Sequence, residues 1–168
     1  MQNGNNLQVN KVVALFNQGL AWLAGLALIL MLIIVVGNAL IRIVYLPFPG
    51  TPEIVGWLAA ITTSFALGYT QMNKGNVALD MVTKKLSRRT QKVLEGIFAL
   101  CSGLFFAMAG WKIVGYGFTL KNSVYLSETL RLAYYPFLFV ISLGFLGLTL
   151  TLLLEFIKLV EGDVKGGS

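Results

Sequence analysis

The stretch LAWLAGLALILMLIIVVGNALI, residues 20–41, decides the fold class. It contains no charged side chain and is closed by Arg42. A bilayer hydrocarbon core is roughly 30 Å thick, and about 20 apolar residues in a helix cross it. The run is therefore long enough to span. It also exceeds the 7–15 apolar residues typical of a signal peptide, and the leading MQNGNNLQVNK has one lysine, so it reads as a retained span.

Working outward, three more apolar windows follow. Residues 54–72 open after Glu53 and close at Lys74. Residues 93–114 carry Glu95 in the first turn and Lys112 near the last, an order that suits the helix dipole and lets both side chains snorkel. Residues 132–154 lie between Arg131 and Glu155. Runs this long and unbroken predict helices, since membrane strands are about half as long and alternate in polarity. The expectation is an all-α integral membrane protein, one domain over residues 1–168 with four transmembrane helices.

Composition points the same way. Of 168 residues, 57% are hydrophobic and 12% charged, with a mean hydropathy of +0.77. Soluble domains run nearer 45–50% and 25%. This excludes a cytosolic enzyme, a disordered chain and a disulfide scaffold. The sequence has no histidine, which removes His-ligated haem, the usual His zinc sites and His acid–base chemistry. The lone cysteine, Cys101, lies in an apolar run and reads as a small buried hydrophobe. No P-loop, dinucleotide fingerprint or GxSxG appears. No catalytic residue, metal site or cofactor is expected.

The +6 formal charge follows topology rather than nucleic acid. Lys11, Lys74, Lys84, Lys85, Arg88, Arg89, Lys92, Lys158 and Lys165 fall on one side; Arg42, Lys112, Lys121 and Arg131 fall on the other. The positive-inside bias then puts both termini and the loop 74–92 in the cytoplasm. Tyr45, Trp57, Trp111, Tyr116, Tyr134 and Tyr135 would form an aromatic belt near the opposite ends.

Two features stand inside this plan. In the loop, Leu79, Val82 and Leu86 share a helical face, while Lys84, Lys85, Arg88 and Lys92 gather on another, with Arg89 beside them. This predicts an amphipathic cytoplasmic arm, about residues 76–87, lying in the membrane plane with its cations on lipid phosphates. A plain connector with topology-setting charges is the other reading. Ser87 would cap the helix that follows. On the third span, Gly96, Gly103, Gly110 and Gly117 recur every seven residues, with Ala99 and Ala107 nearly in line. Such a stripe admits a close, left-handed helix crossing, either within the chain or with another chain.

The spans hold hydroxyls and amides (Asn38, Thr62, Thr63, Ser64, Ser102, Thr149, Thr151) but no acid or base near the midplane. A proton-coupled transporter usually needs one there. Paired Gly/Pro interruptions that mark a substrate site are also missing. Pro47, Pro49 and Pro52 fall in the first outer loop, and Pro136 at the start of span four.

At this point the residues form a larger pattern. Glu53-Ile54 opens span two, Lys74-Gly75-Asn76-Val77-Ala78-Leu79-Asp80 follows it, and Leu86-Ser87-Arg88-Arg89 comes next. Over about residues 20–156 this resembles the small membrane subunit of tripartite ATP-independent periplasmic (TRAP) transporters. Glu53 and Asp80 match acidic positions of that family, while Asn76 stands where it frequently has His. The resemblance implies a non-catalytic small subunit in the bacterial inner membrane. It would brace a large multi-span subunit that moves sodium and an organic acid by an elevator-like displacement. A periplasmic substrate-binding protein would deliver that acid and dock with the help of the small subunit. Membrane lipids are the other expected partners. The competing readings are a self-sufficient small oligomeric transporter or channel, with Asn38 or Thr62–Ser64 facing a pore, and an enzyme or redox anchor subunit.

Overall fold

The structure, a computed structural model, describes the backbone of residues 2–73, 88–123 and 125–164. The arm expected at residues 76–87, with Asn76, Asp80, Lys84, Lys85 and Ser87, lies outside them. Four helices make up the described chain: α1 (Gln2–Val44), α2 (Thr51–Met72), α3 (Arg88–Asn122) and α4 (Tyr135–Val164). All four apolar windows are helical, apart from residues 132–134 at the start of the fourth.

Several helices run well past their apolar windows. At 1.5 Å per residue the 43 residues of α1 extend about 65 Å. The helix starts long before Leu20 because Val13 and Asn17 are already buried against its neighbours. α3 likewise continues to Asn122. The fourth helix begins later than residue 132: Leu132 to Tyr134 belong to a turn, and Pro136, lacking an N–H to donate, falls in the first turn, where none is needed.

Among the described residues, three helical stretches are long and apolar enough to cross a membrane: Gln8–Val44, Val93–Asn122 and Tyr135–Val160. α2 is not among them, because Thr62, Thr63, Ser64, Thr70 and Gln71 dilute its apolar residues. Its position compensates. α2 packs on α1 and α4, α4 packs on α3, and α1 touches α4 less extensively. The spatial order is thus α1–α2–α4–α3, with the most hydroxyl-rich helix in the middle.

The packing of α1 follows a heptad. Val13, Asn17, Leu20, Ala24 and Ala27 are buried, and half-buried Asn10, Met31, Ile34 and Asn38 extend the same three-and-four spacing. Leu20, Ala24 and Phe65 form the core cluster, flanked by Ile61, Ala66 and Val140. Outside it the apolar surface is open. Only 17% of the apolar window of α1, 11% of that of α3 and 28% of that of α4 is buried within the chain. Trp22 and Trp111, 76% and 80% exposed, face outward. A water-soluble bundle would hide such side chains; in a bilayer they meet a solvent as apolar as themselves.

Candidate functional site

The bundle has two chemically distinct ends and a packed middle. At one end, α2 starts directly after Gly50, with Pro52 and Glu53 in its first turn. Asn38 of α1 holds the approach, its Oδ1 accepting the Phe48 N–H at 2.9 Å. Thr51 Oγ1 donates to the Phe48 carbonyl at 2.9 Å. A side chain at Gly50 would fall 2.5 Å from Leu130 Cδ2, so the α1–α2 and α3–α4 connections touch here.

The α3–α4 connection is a tight turn. Leu126 and Ala133 form an antiparallel bridge. Ser127, 2% exposed, donates its N–H to the Leu132 carbonyl at 2.9 Å and accepts the Leu132 N–H on Oγ at 3.2 Å. Arg131 closes the turn in the left-handed region at φ 52°, a conformation a non-glycine residue seldom adopts.

Glu53 ties this turn to α2. Its carboxylate accepts the N–H of Thr129 at 2.8 Å and of Leu130 at 3.2 Å. Partial burial alone would raise the carboxyl pKa, but the Thr129 backbone bond, the Ser127 hydroxyl and the Leu130 backbone bond outweigh it, and the net shift is downward. The clasp therefore survives to lower pH than the ordinary carboxylate range would allow. It opens only as pH falls through the lower folded-state value. Amide exchange at Thr129 and Leu130 should accelerate below that range, and Glu53→Gln, which keeps one acceptor oxygen, should accelerate it at neutral pH. Unchanged exchange in that variant would remove the clasp.

The expected aromatic belt is only partly a cluster. Trp57 stacks on Phe137 (centroids 4.3 Å, interplanar angle 22°) and meets Tyr134 edge-on at 5.6 Å. Tyr125 reaches Tyr134, and Tyr135 reaches Phe139. Tyr45, Trp111 and Tyr116 point outward instead.

The glycine stripe of α3 lies along α4. A Cβ on Gly96 would come 4.0 Å from Phe156, on Gly103 3.6 Å from Leu152, on Gly110 3.4 Å from Phe145, and on Gly117 3.2 Å from Phe139. The order shows the two helices antiparallel, and seven residues from Gly103 to Gly110 match seven from Leu152 back to Phe145. Ala99 is buried in the same stripe. Ala107 is not: it is exposed, and Phe106 takes the inward place, against Phe145 at 5.8 Å. Cys101 is exposed as well, contrary to the buried hydrophobe its apolar neighbours suggest. The reason is that α3 packs mainly on one helix through one narrow stripe. Gly103→Ala should be tolerated, since its methyl would make ordinary contact. Gly103→Leu and Gly110→Leu should each cost about 1–3 kcal/mol by prising the helices apart. Melting of the purified chain checks this, and silence at both positions would overturn it.

Sequence reasoning missed the most constrained residue. Asn17 is fully buried where α1, α2 and α4 meet. Its Nδ2 faces three acceptors, the Val13 carbonyl at 3.0 Å, the Gly147 carbonyl at 3.4 Å and Thr151 Oγ1 at 3.0 Å. Its Oδ1 has no hydrogen-bond partner and rests where side chains on Gly68 and Gly147 would stand. The signal was its heptad distance from Asn10, and from Asn38 three heptads on. A buried Asn on such a seam commonly fixes register. Four other span hydroxyls find partners nearby: Ser64 donates to Ile61 O, Thr149 to Phe145 O, Thr151 to Gly147 O, and Thr62 across to Ala24 O at 3.5 Å.

Arg88 and Arg89 sit at the start of α3 and Lys92 just after; they share the end opposite Glu53 with Lys11 and Lys158. Among the described residues, no group of three or more Cys, Asp or Glu side chains could hold a metal ion.

These features define a helical membrane protein, polar at its two ends and packed between. The chain belongs to the DctQ component family of tripartite ATP-independent periplasmic transporters, whose profile matches residues 31–162. It is the small component of such a transporter, a transport family rather than an enzyme family. Neither a curated protein nor a solved structure matches it.

Proposed function

We propose that the chain is a stationary, non-catalytic scaffold in the bacterial inner membrane. On this reading it holds a large elevator-type subunit in place while that subunit imports an organic acid driven by sodium. A periplasmic binding protein supplies the acid at the Glu53 end. Both termini and the basic arm, residues 76–87, lie on the cytoplasmic side, where Lys84, Lys85, Arg88, Arg89 and Lys92 hold lipid phosphates. All four helices then cross the bilayer, α2 screened by α1 and α4.

The observation that carries this reading is the charge-free middle of every apolar run. Moving an ion through a bilayer calls for titratable or coordinating groups at depth, and bracing a neighbour does not. The open apolar faces of α1 and α3 supply the area such a neighbour would cover. In proteoliposomes the chain alone should give no solute uptake. Co-expressed with a large multi-span subunit of the same transporter class, it should co-purify and uptake should appear. Accumulation of solute by the chain alone would overturn the scaffold reading in favour of the small oligomeric transporter.

A further inference from the structure

A cavity of about 260 Å³ opens at the end of the bundle opposite Glu53. Its polar wall is Asn10 of α1, Gln71 of α2, Glu95 of α3, and Thr151, Glu155 and Lys158 of α4. Each helix contributes, so the site exists only in the folded bundle.

The chemistry of this wall is unbalanced toward acceptors. Glu155 Oε2 accepts from Gln71 Nε2 at 2.8 Å, and Glu95 Oε1 accepts from Gln91 Nε2 at 3.1 Å. An ionised carboxylate has about four lone-pair positions, so these bonds leave capacity on both. Asn10 Oδ1 is buried with no hydrogen-bond partner. A buried acceptor left unpaired costs free energy that an arriving donor recovers. Three acceptors, two of them anionic, suit a cation with several N–H groups. A primary ammonium has three.

Lys158 adds the opposite charge to the same wall, so the ligand that fits best also carries an anion. Depth narrows the choice. Gln71 and Met72 end α2, Glu95 lies at the start of Val93–Asn122, and Lys158 lies near the end of Tyr135–Val160. The cavity is therefore level with the ends of the apolar spans, where headgroups lie. Val13, Met72, Leu154 and Leu159 complete it with an apolar wall for the first part of an acyl chain.

We propose that this cavity binds a phospholipid with a primary amine, of the phosphatidylethanolamine class. Its ammonium meets Asn10, Glu95 and Glu155, and its phosphate meets Lys158. A choline headgroup has the charge but no N–H to donate, and a glycerol headgroup has no cation. The proposal rests on the helices being membrane-embedded and not on the transport role.

The test is native mass spectrometry of the full-length chain titrated with lipids of matched acyl chains. Phosphatidylethanolamine should bind about tenfold tighter than phosphatidylcholine or phosphatidylglycerol. Along the N-methyl and N,N-dimethyl derivatives the affinity should fall stepwise as N–H groups are lost. This series needs no mutation and so carries no folding risk. The double variant Glu95→Gln/Glu155→Gln, which keeps acceptors for Gln91 and Gln71, should bring the three classes to near parity at unchanged helicity. Flat affinity along the methylation series overturns the proposal. So does a preference that survives in the folded double variant.

Discussion

Asn17→Asp is expected to be the most damaging single-atom-scale change in this chain. It would replace Nδ2, which donates, with an oxygen that faces the Val13 carbonyl, the Gly147 carbonyl and Thr151 Oγ1. As a carboxylate it buries an unpaired charge at a site with no solvent exposure. As a carboxylic acid it recovers one of these bonds, after forcing protonation at neutral pH. Either route costs about 3 kcal/mol or more. Asn17→Ala removes the same bonds without adding charge and should cost about 1–3 kcal/mol. Unfolding of the purified chain in mixed detergent should rank the wild type above Asn17→Ala and that above Asn17→Asp. Raising the acidity should narrow the last gap, because protonation relieves it. An aspartate variant as stable as the wild type at neutral pH would show that the three-helix junction is hydrated or open.

Gly144 carries the second large effect. A Cβ there would stand inside contact distance of the Ser64 carbonyl carbon, oxygen and Cβ. Backbone cannot swing aside as a flexible side-chain tip can, so α2 and α4 must separate or shift along each other. Even Gly144→Ala should therefore cost about 1–3 kcal/mol, and Gly144→Leu should prevent the pair from forming. The control is internal. A Cβ on Gly25 or Gly56 meets nothing within 4 Å, so Ala at either should be neutral or slightly stabilising. No described glycine has positive φ, so the role of Gly144 is space and not backbone freedom. If all three alanine variants melt alike, the α2–α4 contact is not as close as described.

Much of this protein was legible because lipid imposes a simple rule. Residues 20–41 must be helical to satisfy their own backbone, and their lack of charge says so in any context. The seven-residue glycine spacing on α3 announced a close approach for the same local reason. Glu53 was visible as an acid ahead of a span, but its partners, the amides of Thr129 and Leu130, are 76 and 77 residues away. A short helix start cannot reveal a distant turn. Cys101 and Ala107 misled because apolar surroundings in sequence do not separate a core face from a lipid face. Both are equally greasy.

The charge-free runs and the short motifs beside them thus determined the helices and the family without reference to any contact, since each depends on one segment and its solvent. The order α1–α2–α4–α3, the burial of Asn17, the pairing of Gly144 with Ser64 and the cavity beside Glu155 were decided only in the folded bundle. Each needs two or more helices at fixed relative depth and rotation, and that geometry is a property of the assembly's packing rather than of any one stretch of residues.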